Sequence, residues 1–308
     1  MAVKAGPWAG RDGPDGGVVM KKLGWIVGAA LFGCGDSGGE GTTDAAEVAD
    51  ATAGDVGDTS PGDTNGPVTC APAQGGRGEK VACVSGAVVD GEGAPIVGIK
   101  VSACTTQTCI ISPTGADGRY AIQGLPVEPH RMEALGVPKG YMTIEWFQDT
   151  TASVMTEAPH AIVAVPLTGA AQPLPESGGT ALLADGTLEL TVGADVLVYP
   201  IGAEEEVEAA AVAIEDLPPY DVAPWTGKEA ASRAFVVNPF ALGVEGELGL
   251  KVKGVGAAAG ARYHLYTADH LTGRLDEGGT LVADDAGDLV LQPGATADEL
   301  TTVVVVPE

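Results

Sequence analysis

Five cysteines carry the most distinctive chemistry in this chain, because a thiol can be acylated, oxidised or bound to a metal. Cys34 directly follows a short apolar stretch, LGWIVGAALF, at residues 23–32. The other four lie close together: Cys70, Cys83, Cys104 and Cys109. An even number of cysteines in an exported segment predicts disulfides, and proximity favours Cys70–Cys83 and Cys104–Cys109, with the two other pairings left open. Their spacing is not CxxC and no histidine is near, so zinc is not expected.

Histidines and carboxylates form two further patterns that resemble metal sites. In both, the predicted secondary structure argues against metal binding. His130 and Glu133 spell HxxE, half of the zinc carboxypeptidase motif. They fall in a predicted strand, where positions three apart face opposite sides of the sheet. His264 and His270 flank Asp269, but a strand is predicted at the first histidine and a turn at the second. We expect no metal and no cofactor, and an enzyme is the least favoured hypothesis.

The composition favours an all-β protein. Glycine and proline are abundant, with 46 and 21 copies, and aromatic residues make up only 5%. This pattern is typical of short strands joined by tight turns. The net charge of −26 leaves too few basic residues to track phosphates, so nucleic acid is not an expected partner. Strong acidity favours a soluble monomer.

The amino-terminal region predicts a secretory signal that begins at Met20. Residues 1–19 carry no recognisable pattern, and we interpret them as a mis-called upstream extension. Two lysines follow Met20 and lead into the apolar stretch 23–32. A basic start and a short apolar core are typical of a signal peptide, here residues 20–33. Ten apolar residues are too few to span a membrane, which takes about 20.

The end of this stretch, LFGC at residues 31–34, resembles the lipobox of bacterial lipoproteins. The resemblance implies lipidation of the Cys34 thiol, cleavage after Gly33 and anchoring in a membrane of the cell envelope. The alternative is a buried cysteine after an ordinary signal peptide. Gly35 stands where an aspartate would retain some lipoproteins in the inner membrane, so we expect the outer membrane.

An acidic tether is predicted from the anchor to residue 69. Residues 35–69 contain no Lys, Arg, His or aromatic side chain. Such a segment cannot bury enough apolar surface to offset its ordering entropy, and its like charges extend it. Its Asp–Gly run at 55–66 lacks the spacing of an EF-hand, so calcium is not expected. We interpret residues 34–69 as a lipid anchor followed by a disordered linker.

Residues 70–168 are predicted to form a first β-sandwich. Residues 81–107 read as a strand, a glycine-rich turn and a second strand. The region contains two sets of pattern residues: Gly86, Val88, Asp90, Gly93, Pro95, Ile96, Gly98 and Val101, then Thr114, Asp117, Gly118, Tyr120, Ile122, Gly124, Leu125 and Pro126. Through these residues it resembles the carboxypeptidase regulatory-like family, which implies a transthyretin-like sandwich without catalytic residues. We expect Tyr120 in the core, the extra cysteine pair on an edge hairpin, and later strands at 130–135, 141–148 and 161–167.

Residues 177–308 are predicted to form a second sandwich. Alternation at 178–203 indicates strands, and the run 204–216 fits a strand somewhat better than a helix. Further strands are expected at 233–237, 248–252, 262–267, 280–283, 288–291 and 301–306. The start of this region resembles a ZU5-type domain through Gly178, Gly179, Leu188, Leu190, Gly193 and Ala194. The later part of that pattern is matched only loosely, from Asn238-Pro239-Phe240 to Gly246-Glu247, and its second proline is missing.

Together these patterns predict two β-sandwich domains in tandem after a signal peptide and a disordered linker. The favoured function is that of a membrane-anchored cell-envelope lipoprotein with a non-catalytic binding or structural role, with an envelope protein or a glycan as its partner. The alternative is a carbohydrate-binding accessory protein that uses Trp146, Phe147 and Trp225, weighed against ordinary core packing of these aromatics.

Overall fold

The structure, a computed structural model, describes Cys70 and residues 81–308. The predicted extension 1–19, the signal peptide 20–33 and the tether with its lipid site Cys34 lie outside the described residues and stay predictions. The described residues belong to one compact unit, which we call the body. No helix in the body is long and apolar enough to cross a membrane.

Strands and short turns make up the body, which confirms the all-β fold. The first eight strands are β1 Ala82–Val89, β2 Lys100–Cys104, β3 Cys109–Pro113, β4 Arg119–Leu125, β5 His130–Leu135, β6 Ile144–Gln148, β7 Met155–Glu157 and β8 Ile162–Val163. The others are β9 Gln172–Pro173, β10 Gly179–Leu183, β11 Leu188–Val192, β12 Leu197–Val198, β13 Glu206–Val212, β14 Arg233–Asn238, β15 Leu242–Val244, β16 Leu248–Val252, β17 Arg262–Asp269, β18 Arg274–Ala283, β19 Leu289–Leu291, β20 Glu299–Leu300 and β21 Thr302–Pro307. Single 3₁₀ turns occupy Val137–Lys139, Ala184–Gly186, Ile214–Asp216 and Glu229–Ala231.

Strands β1–β8 form a sandwich of two sheets, here called the first sandwich. One sheet has the order β4-β1-β7, with β8 also paired to β1, and the other has the order β3-β2-β5-β6. Their inner faces enclose a single apolar cluster. Tyr120 is buried in it, as expected. A Cβ on Gly86 would lie 2.5 Å from the Tyr120 hydroxyl oxygen, so the ring needs a glycine opposite it.

Both disulfides favoured from sequence proximity are confirmed. Cys104 and Cys109 are register partners at the end of the β2–β3 hairpin. Because β3 is the edge strand of its sheet, this bond closes an edge hairpin, as expected. Cys70 is joined to Cys83 within β1, which fixes the start of the body to a central strand.

Strands β9–β21 form a second and larger pair of sheets, here called the second sandwich. Ten strands make one sheet, in the order β10-β11-β16-β19-β18-β17-β21-β14-β13-β9, and β12, β15 and β20 make a small second sheet. Both sheets contribute to one apolar core. The run 204–216 contains a strand, β13, followed by a 3₁₀ turn, as favoured from its pattern.

The two sandwiches pack directly against each other. Val236 of β14 is buried in the core cluster of the first sandwich. On the same outer face of the large sheet, a crossover segment at 213–232 covers β17 and β21 through its apolar side chains, which include Ile214 and Leu217. The domain boundaries at 168 and 177 stay a prediction. No pattern in the sequence predicts the interface between the two sandwiches.

Candidate functional site

Charged side chains lie buried or half-buried where the two sandwiches meet. On the sheet β3-β2-β5-β6, the inner face carries the apolar core residues, including Met132 and Trp146. The outer face carries Ser102, Arg131 and Glu133, because residues two apart on a strand share a face. Glu145 joins this face because it is the register partner of Glu133.

The second sandwich supplies the opposite wall of the interface. The turn after β17 brings His270 against the outer face, and the β20–β21 junction brings Glu299 and Thr301. A Cβ on Gly273 would lie 2.5 Å from the carbonyl oxygen of Trp146, so this turn touches the backbone of edge strand β6. Residues Arg131, Glu133, Glu145, His270, Glu299 and Thr301 are hereafter called the joint cluster.

Hydrogen bonds within the joint cluster run across the interface as well as along it. Arg131 lies 2.9 Å from the Glu133 carboxylate and also donates to the backbone carbonyl of His270. Ser102 donates to Glu133 at 2.8 Å. The His270 ring pairs with the Glu299 carboxylate.

One hydroxyl connects the cluster to the strand beside it. Oγ1 of Thr301 lies 2.7 Å from Oε1 of Glu145 and 2.9 Å from the carbonyl oxygen of Ala268. Oε2 of Glu145 has no hydrogen-bond partner among the described residues.

Burial sets the electrostatics of this cluster. Glu145 is 1% exposed, and loss of hydration raises its pKa to about 8. The hydrogen bond with Thr301 and the charge of Arg131 oppose this rise, and the neighbouring carboxylates of Glu299 and Glu133 assist it. The Glu299 carboxylate raises the pKa of His270 by accepting its hydrogen bond. A perturbed carboxyl group is a general signature of functional sites, and equally of structural ion networks.

Access decides between these two interpretations of the joint cluster. Glu133, Glu145 and Glu299 are at most 8% exposed, which leaves no room for a substrate to reach a carboxyl group. The cluster therefore acts in the contact between the sandwiches. Across Cys70 and residues 81–308, no three His, Cys, Asp or Glu side chains are arranged to hold a metal ion.

The structure separates the residues that resembled metal sites in sequence. His130 and Glu133 lie on strand β5 as expected, and Glu133 pairs with Arg131. His264 lies on β17 and pairs with Glu277, whereas His270 lies in the following turn and pairs with Glu299.

The three aromatics proposed as glycan contacts do not form an exposed platform. Trp146 is 0% exposed within the first core. Phe147 is 9% exposed, and the Arg274 guanidinium lies 4.0 Å from its ring centroid. Because sugar stacking needs a free ring face, this placement removes both residues as glycan contacts. Trp225 is half-buried, edge-on to Tyr220.

A second polar contact fixes the connection between the sandwiches. Glu208 of β13 is buried, and one of its oxygens accepts hydrogen bonds from the amides of Thr168 and Gly169 and from the Thr168 hydroxyl. Its other oxygen accepts from Asn238 at 3.4 Å. The segment between β8 and β9, here called the inter-sandwich linker, is therefore held to the second sandwich through the backbone amides of Thr168 and Gly169 and the Thr168 hydroxyl.

Comparison with known proteins gives no family assignment. No protein-family model and no curated protein matches the chain. Among solved structures, a candidate carbohydrate-binding protein of Bacteroides uniformis has 8% identity over 73% of this chain and 78% of its own, with a TM-score of 0.22. A DUF3823 family protein of Parabacteroides merdae has 9% identity over 74% and 98%, with a TM-score of 0.24. The major pilin subunit of Bacillus cereus has 10% identity over 74% and 59%, with a TM-score of 0.23. Similarity this weak carries no functional argument.

Proposed function

We propose that this chain is a lipid-anchored protein of the bacterial cell envelope whose body has a non-catalytic binding or structural role. The observation that carries the role of the body is the burial of the carboxyl residues of the joint cluster, Glu133, Glu145 and Glu299. Its perturbed carboxyl group, Glu145, lies between the sandwiches and away from solvent. The charged groups that would suggest catalysis therefore hold two sandwiches together.

Two disulfides support export from the cytoplasm. Cytosolic thiols are kept reduced, and disulfides persist in oxidising compartments. The bonds Cys70–Cys83 and Cys104–Cys109 fit the signal peptide predicted ahead of them. The thiol that remains, Cys34, stands at the end of the lipobox-like sequence. Two or more acyl chains would give it a stable membrane hold, since one chain alone is marginal.

Replacing Cys34 with serine is expected to release the protein from membranes. Serine has no thiol to receive the diacylglyceryl group, so neither the lipid nor the following cleavage step would occur. The measurement is membrane fractionation of bacterial cells that express the full chain, with metabolic labelling by a radioactive fatty acid.

The matched control is Ser37→Ala, a small change three residues away in the tether. We expect that variant to keep both the label and the membrane association of the unmodified chain. If Cys34→Ser stayed in the membrane pellet after an alkaline wash, or if the unmodified chain took up no fatty acid, the anchoring proposal would be wrong. Density separation of inner and outer membranes tests the outer-membrane expectation from Gly35.

A further inference from the structure

One hydroxyl hydrogen lies between two acceptors beside Glu145. The Thr301 hydroxyl is 2.7 Å from Oε1 of Glu145 and 2.9 Å from the carbonyl oxygen of Ala268, and it can donate to only one of them at a time. Both contacts are hydrogen bonds together only when the carboxyl group of Glu145 carries a proton and donates it to Thr301. The other carboxyl oxygen, Oε2, is buried without a hydrogen-bond partner among the described residues. The contacts therefore favour neutral Glu145.

The charges around Glu145 balance only when it is neutral. Strand β5 presents Arg131 and Glu133, strand β20 presents Glu299, and the turn after β17 presents His270. The crossover segment adds the buried hydroxyl of Tyr220. Arg131 and protonated His270 offset the carboxylates of Glu133 and Glu299. An ionised Glu145 would be a third carboxylate with no further cation among these groups.

We propose that the contact between the two sandwiches is pH-sensitive: it holds while Glu145 carries a proton and weakens when that proton is lost. Ionisation would turn the Thr301 hydroxyl towards Glu145 and away from the carbonyl oxygen of Ala268, and it would leave an additional negative charge in a buried interface. Such a buried, unpaired charge is strongly destabilising. The weakening is expected at the joint cluster first, because each sandwich has its own apolar core.

The direction of the pH effect follows from two titrating groups. Burial raises the pKa of Glu145 from 4.5 to about 8, so between these values the folded body binds a proton that the unfolded chain does not. Its stabilising effect is full below 4.5 and is lost as the pH rises to about 8. The pKa of His270 is also raised, through Glu299, so its contribution is lost in the same direction. The contact is therefore tightened by acid and loosened by alkali across this window.

The test is the pH dependence of unfolding of the full chain and of Glu145→Gln. Glutamine stays neutral, and its amide group can donate to Thr301. One bound proton corresponds to about a tenfold fall in the folding equilibrium constant per pH unit. Between pH 4.5 and 8, we expect the folding equilibrium constant of Glu145→Gln to fall less steeply with pH, because the fall of about tenfold per pH unit that is due to this one proton is missing. Glu247→Gln changes the same charge at an exposed position and should keep the original slope. An unchanged slope in Glu145→Gln would overturn the proposal.

A measurement on the unmodified chain covers the case in which Glu145→Gln does not fold. A protonated carboxylic acid has its own carbonyl stretching band in the infrared spectrum. We expect this band in the folded protein between the two pKa values and its loss above about 8. Hydrogen exchange at residues 269–273, corrected for the intrinsic effect of pH, should accelerate over the same interval. A folded protein without the band between these pKa values would contradict a neutral Glu145.

Discussion

Replacing Gly273 with alanine is expected to lower the free energy of unfolding of the body by about 3 kcal/mol. Gly273 has a φ of +69°, which disfavours any side chain, and a Cβ would lie 2.5 Å from the carbonyl oxygen of Trp146. The turn after β17 would have to move away from strand β6. This movement would disturb His270 and its contacts in the joint cluster. Urea unfolding of the full chain measures the loss.

The matched control is Gly254→Ala. Gly254 has nearly the same φ, +70°, but a Cβ at this position would have open space around it, with no contacting atom within 4 Å. Alanine there meets only the backbone strain, and we expect a loss of about 1 kcal/mol. The difference between the two variants isolates the close approach of the sandwiches. If both variants lost the same free energy of unfolding, the close contact with Trp146 would contribute nothing to the stability of the body.

Replacing Glu208 with leucine is expected to destabilise the body by about 3 kcal/mol and to free the linker. The change leaves the two linker amides, the Thr168 hydroxyl and Asn238 without their acceptor. Buried donors without a partner cost more than the bond itself contributes. The amides of Thr168 and Gly169 should also exchange faster with solvent. Urea unfolding and hydrogen exchange measure the two effects.

Glu206→Leu is the control on the same strand, because the Glu206 side chain is exposed. It should change stability by less than about 0.5 kcal/mol. Faster cleavage by a protease between residues 168 and 171 is expected only in Glu208→Leu. A Glu208→Leu protein with normal stability and a protected linker would show that the carboxylate does not hold the connection.

Alternation and turn residues predict most of the strands. Strands β5 and β16 have the predicted limits, and β14 and β17 extend them by one and two residues. Period-two patterns work here because one face of each sheet is apolar. The disulfides are predictable because the two cysteines of each pair are close in sequence. Short strands such as β9 and β12 have two residues each, too few to show a period.

The joint cluster is not predictable in the same way. Arg131 and Glu299 are distant in sequence, and only the packing of two sandwiches brings them together. One signal is present in the sequence: Glu133 and Glu145 each stand between two apolar residues. A charged residue in such a place needs either solvent or a partner, and the pattern alone does not say which. Sequence alone also leaves Trp146 as a candidate surface aromatic, because its face on β6 depends on the strand register.

We expect the buried contacts between the sandwiches to make them unfold as one cooperative unit, and differential scanning calorimetry of the full chain tests this expectation. We predict a single unfolding transition for the unmodified protein, with equal calorimetric and van't Hoff enthalpies. In Gly273→Ala the transition should broaden or divide, because the contact at Trp146 is weakened. Two separate transitions in the unmodified chain, at temperatures that Gly273→Ala leaves unchanged, would show instead that the sandwiches unfold independently.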